Sequence, residues 1–312
     1  MDGVRSPAEA PAAQAAAGLA PLAGLFGEIN DLKRVRGADD PASVSARLFR
    51  RSWAALAAGE DPGEVALRAA ADTVASARLG AVDAAVLARC GLTPDEAREV
   101  LEASFAAVGG PLDRGLAEAL RRRLGAPWRD DLPVPDFVTA LAAQPRAGAT
   151  CPGKPRLVLE PPESHAEHCM TVAAYAVLVA PLYGAEPGDA LLLGLAHHFH
   201  NAVLPDSGFT GEMLLGRHLE PIMERLTEGV LATLPAPLAA RIRTLRPVLG
   251  GAEAPAARAF HAADVIDRVL QMQQYARVAA FTVDQALDDL ELVHAGPVQS
   301  FHYAVLREVG LA

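Results

Sequence analysis

Cysteine is scarce in this chain. Cys90, Cys151 and Cys169 are the only 3 in 312 residues, they are widely separated, and no CxxC pair occurs. An odd, sparse set argues against a disulfide framework, fits a reducing compartment and leaves a thiolate zinc site without ligands. Lysine is scarcer still: of 28 basic residues, all but Lys33 and Lys154 are arginine. Positive charge is in deficit, with 38 acidic residues and a formal net charge of −10. Polymeric nucleic acid is bound by clustered Lys and Arg, so it is not an expected partner. A small anionic substrate held by a local metal or arginine remains compatible with that charge. Long apolar runs are missing too. Ala173–Tyr183 and Ala190–Ala196 are the longest, the first contains Pro181, and both are too short to span a bilayer, so no membrane partner is expected. Asp2 and Glu9 around Arg5 lack the basic start of a secretory signal. These absences lead to the expectation of a cytoplasmic protein.

What is present is apolar and alanine-rich. Hydrophobic residues make up 51% and aromatics only 5%, with a mean hydropathy of +0.17. A chain of this size buries a sizeable core and has room for about two domains. Alanine has the highest helix propensity, and the start and stop signals run from helix to helix. Asp40-Pro41 opens a segment through Leu48, Phe49 and Trp53, and Asp61-Pro62 with Glu64 opens the next. Thr93-Pro94-Asp95-Glu96 combines a cap, a first-turn proline and a capping-box glutamate. Arg156–Leu159 is the one short β-like stretch. The pattern predicts an all-α fold of two helical bundles: a mobile Ala/Pro-rich tail over 1–18, an N-terminal bundle over 19–145, and a C-terminal one over 146–312. The basic runs Lys33–Arg36 and Arg47–Arg51 read as solvated helix faces. The N-terminal half names no chemistry and offers itself as a surface for a protein partner or a second copy.

The chemistry lies downstream, where most of the 9 histidines fall. Glu163-Ser164-His165-Ala166-Glu167-His168 enters an apolar helix with His165 and His168 on one face. The wholly apolar Ala190–Ala196 ends in His197-His198-Phe199-His200-Asn201. Buried imidazoles must find partners or a metal. Asp206, Glu212 and His218 follow. His261, Asp264, Asp267 and Arg268 then sit in an amphipathic helix, Asp264 sharing a face with His261 and with Asp267. Imidazole and carboxylate drawn from separate buried helices suit a divalent transition metal: Fe, Mn, Zn, Ni or Co.

This order resembles the HD-domain superfamily, a helical bundle whose metal site follows the pattern His, His-Asp, Asp. Glu167-His168 looks like its first-ligand helix, Ala196-His197-His198 like its doublet, and Ala263-Asp264 like its final Asp. His197 to Asp206 aligns without a gap to the segment that opens on the doublet in HD-GYP members, ending on the same Pro-Asp, and Phe209–His218 resembles their next segment, which supplies a further His ligand. The doublet's Asp is His198 here, Asn201 replaces a Lys, and no Gly-Tyr-Pro motif is present, so cyclic-dinucleotide hydrolysis has no support. The resemblance, over roughly 160–285, implies a metal held by His168, His197 and Asp264 with His198 and His218 as further ligands. Glu167, Asp206 or Glu212 would orient or deprotonate water, and Arg268 would contact phosphate. His165, His200 and His261 are additional candidates. Three functions follow: a metal-dependent phosphohydrolase, a non-catalytic HD-like signalling or interaction module, and a His-rich iron oxygenase.

Overall fold

A computed structural model describes residues 18–38, 40–154, 156–278, 282–289 and 291–312. Apart from Gly18, the expected N-terminal tail lies outside the described residues. The fold is all-α, and among the described residues no strand forms; Leu157 makes only an isolated bridge to Ala149. The first half contains α1 (Ala23–Asn30), α2 (Val44–Ala57), α3 (Pro62–Leu79), α4 (Ala84–Arg89), α5 (Pro94–Val108), α6 (Arg114–Arg121) and α7 (Asp136–Ala143). The second contains α8 (His165–Tyr183), α9 (Pro187–Ala196), α10 (Gly208–Leu215), α11 (Leu219–Leu231), α12 (Ala236–Leu245), α13 (Pro255–Val278) and α14 (Gln299–Glu308).

The capping chemistry places these helices where the sequence indicates. Asp61 accepts from the backbone N–H of Gly63 and Glu64 to start α3, and Thr93 with Glu96 closes a capping box on α5. α2 departs from the reading: its cap is Ser43, whose hydroxyl accepts from Ala46 N, not the upstream Asp40.

Helices of the two halves pack into one hydrophobic cluster. α8 is apolar on every side, and residues 165–180 are buried without exception. By length and composition it would cross a membrane, but here it is the central core helix. A helix apolar all round needs cover on all sides. α9 and α13 supply part of it, and α2, α3 and α7 from the first half supply the rest. The scarce aromatics mark the join: Trp53 of α2, Phe137 of α7 and Phe199 after α9 meet with ring centroids 5.1–5.2 Å apart. One hydrophobic cluster runs from Leu19 to Val309.

α9 lies close against α8 because Gly194 faces Ala173. A Cβ on Gly194 would come within 2.4 Å of Ala173 Cα, a backbone atom that cannot yield. Gly194→Ala is therefore expected to cost about 1–3 kcal/mol by overpacking. The urea midpoint should fall accordingly, and an unchanged midpoint would contradict the close contact.

Burial also sets an acid limit. His302 on α14 is buried, its Nε2 finds no partner, and burial pulls its pKa down to about 4. The folded value lies below the ordinary 6.5, so the neutral ring's contribution is complete above that pH and is lost as pH falls toward 4. The loss is worth about 3 kcal/mol. His302→Leu should flatten the fall in stability between pH 6.5 and 4, and an identical slope in both proteins would refute this cause.

Candidate metal centre

Three helix segments deliver the site. Ser164 caps α8: its hydroxyl accepts from Glu167 N at 3.2 Å, and Glu167 Oε2 accepts from Ser164 N at 2.8 Å. This turn aims His165 and His168 into the core. α9 ends at Ala196, and the 3-10 turn Phe199–Ala202 follows, holding His197 and His198 at the junction. α13 contributes Asp264 and Asp267 one turn apart.

His168 is the hub. Its Nδ1 lies 2.7 Å from Asp267 Oδ2, and its Nε2 lies 3.1 Å from His197 Nε2 and 3.4 Å from Asp264 Oδ1. His197 Nδ1 is 2.8 Å from the carbonyl of Gly194, and His198 Nδ1 is 2.9 Å from Asn201 Oδ1. The Asn201 amide is oriented by donating to Leu204 O at 3.0 Å. Because each of these partners accepts, each Nδ1 carries a proton, and in a neutral ring the Nε2 then keeps a lone pair. Burial first, then the neighbouring His168, holds His197 well below the usual imidazole range. Burial and the adjoining His197 do the same for His198. Burial alone would raise the Asp264 carboxyl, but a hydrogen bond from His168 in its protonated form, and then Arg268, hold it well below the usual range.

The consequence is electrostatic. His168 Nε2 thus faces both His197 Nε2 and Asp264 Oδ1, and a shared proton or a bound cation can join them. A second proton on His168 would serve one neighbour at a time. A metal ion would satisfy His168, His197 and Asp264 together, while Asp267 and the Gly194 carbonyl orient the rings from behind. Ligand atoms of the buried His168 and the half-buried His197 and His198 lie within 4.8 Å of one another, so these groups can hold a metal ion. Arg146 Nη1 approaches His198 Nε2 at 3.2 Å and donates to its lone pair, which makes His198 the least available of the three.

A cleft of 260 Å³ opens over the cluster, lined by Arg146, His197, His198, Asp206, Glu212, Asp264 and Arg268. Asp206 accepts from Ala147 N and Gly208 N, each at 2.9 Å, and so fixes the loop it begins. Burial would raise its carboxyl, but Arg146 and those two bonds keep it below the usual range. Glu212, exposed at the cleft rim, is held above the usual range by partial desolvation and then by Asp206. Arg268 Nη1 reaches to 3.7 Å from Asp264 Oδ2.

Other expected site residues go elsewhere. The Glu167 carboxylate is engaged in the Ser164 cap and lies 3.9 Å from Arg36, away from the cleft. His218 is exposed on the 3-10 turn Gly216–His218. His261 Nε2 donates to Leu249 O at 3.1 Å. His200 is buried, its ring centroid 5.7 Å from that of His198, and burial lowers it to about 4. His165 borders the cluster without joining it, with Nδ1 3.1 Å from Gln144 O and Nε2 3.7 Å from Asp206.

The sequence reading missed Asp267, Glu163, Arg146 and Lys33. Lys33 is not on a solvated face: it is buried between Glu163 and Asp267. Asp267 had a legible signal, since a ligating histidine needs an acceptor for its second nitrogen and Asp267 shares a face with Asp264. Arg146 lies in the Pro/Gly-rich connection, where no periodicity marks it.

Comparison with family models, curated proteins and solved structures gave no match for this chain.

Proposed function

We propose that the chain is a metal-dependent hydrolase of a small phosphate ester, a divergent relative of the HD-domain superfamily, with its metal held by His168, His197 and Asp264. The observation that carries this reading is the approach of His168 Nε2 to His197 Nε2 and Asp264 Oδ1, with His197 and Asp264 lining an open cleft. A divalent ion of Fe, Mn, Zn, Ni or Co supplies Lewis acidity and an acidified water at such a site.

The chain's own groups do the rest. Arg268 and Arg146 present guanidinium groups on the cleft wall, suited to the non-bridging oxygens of a phosphate. Glu212 is the best placed general base of the three expected carboxylates, because it lines the cleft and its raised pKa brings it closer to working pH. Asp206 keeps the loop and Arg146 in register. The acidic surface disfavours a nucleic-acid polymer as substrate, and the free thiols suit a cytoplasmic setting.

A panel of small phosphate monoesters and nucleotides, assayed with added Mn²⁺ and again with chelator, tests the proposal. Chelator-sensitive release of phosphate is expected, with loss in Glu212→Gln. No hydrolysis across the panel, or hydrolysis indifferent to chelator, would overturn it.

A further inference from the structure

Behind His168, whose Nδ1–H donates to Asp267, the Glu163 and Asp267 carboxylates form a second cation-binding position. Glu163, His168 and Asp267 place ligand atoms within 4.8 Å of one another, and all three residues are buried. A positive charge is already seated there. Lys33 Nζ lies 2.5 Å from Glu163 Oε1 and 2.6 Å from Asp267 Oδ1, and its side chain is 1% exposed. Arg146 Nε stands 3.6 Å from the other oxygen of Glu163, so two cations share the two carboxylates.

The identity of residue 33 supports the same reading. The chain uses arginine at every basic position but two. A guanidinium is a planar fork, whereas an ammonium is a compact point charge able to sit between converging oxygens as an ion does. Lys33 ends the 3-10 turn Asp31–Lys33 that follows α1, so the first half of the chain delivers this charge to a site built by the second half.

We propose that the Lys33 ammonium is a tethered cation standing in a second metal position of the centre, where it keeps the centre mononuclear and holds Asp267 in place to orient His168. Only the ion count on the opposite, Nε2 side of His168 rests on the metal-centre reading above. Removal of the ammonium leaves two buried carboxylates short of positive charge, and a divalent ion takes its place.

The test is the number of Mn²⁺ ions bound per chain, measured by calorimetric titration of the full-length protein after chelation. Wild type is expected to bind one, Lys33→Met two, and Lys33→Met/Glu163→Gln one. Equal numbers in wild type and Lys33→Met would overturn the proposal. Wild type binding none while Lys33→Met binds one would remove the metal-hydrolase reading and leave the tethered cation standing. If Lys33→Met unfolds in chelator, recovery of its helical circular dichroism on adding Mn²⁺ supports the proposal. Failure of Mn²⁺ to restore it, with the double variant folded, overturns it.

Discussion

Replacing His168 by alanine is expected to strip the centre of its metal. His168 is the one side chain that touches both halves of the site, with Asp267 behind it and His197 and Asp264 in front. Loss of an orienting partner alone typically costs about 10–100-fold in metal affinity. Loss of the ligand itself should exceed that range. The substitution also opens a cavity and leaves the buried Asp267 carboxylate with one partner fewer, so about 2–5 kcal/mol of stability should go with it. Metal titration and a urea melt on the same preparation read both effects. A folded His168→Ala protein that binds Mn²⁺ as wild type does would place the metal elsewhere.

Asp267→Asn is the second large effect, and it separates orientation from ligation. Asp267 is fully buried, and His168 and Lys33 both rely on its charge. Burial by itself would raise its carboxyl, but Lys33 and then His168 overcome this and keep it ionised. An amide leaves the ammonium with Glu163 alone, and breaking a buried charge pair typically costs about 3–5 kcal/mol. The amide also no longer dictates which nitrogen of His168 carries the proton, so affinity should drop about 10–100-fold. Asp264→Asn is the control. Its side chain is 16% exposed at the cleft, so affinity should fall while the urea midpoint moves little. Equal stability losses in the two variants would contradict the division of labour between these aspartates.

Much of the helical framework was legible because it is local. Ser164, Asp61 and Thr93 announce helix starts by chemistry confined to four residues. The histidine pair at the end of α9 and Asp264 on α13 were legible as a converging set because a buried imidazole requires a partner wherever it lies. The shared core was not legible. Nothing in the composition says that α8 needs cover from α2, α3 and α7, a demand that joins helices on both sides of residue 145. Lys33 failed for the same reason: in sequence it opens a basic run, and only the approach of α1 and its following turn to α13 buries it. Glu167 is the opposite case. Ser164-x-x-Glu167 is the sequence pattern of a capping box, so the local signal assigned that carboxylate to the helix start. His218, expected as a further ligand, lies exposed, away from the cluster.

The measurement that bears most directly on the centre is elemental analysis of purified wild type beside His168→Ala, both shown to be folded by circular dichroism. One transition-metal ion per chain in wild type and none in the variant is the predicted result. A metal-free wild type that also fails to take up added Fe²⁺, Mn²⁺, Zn²⁺, Ni²⁺ or Co²⁺, with the His168 ring doubly protonated between its two aspartates, would contradict it.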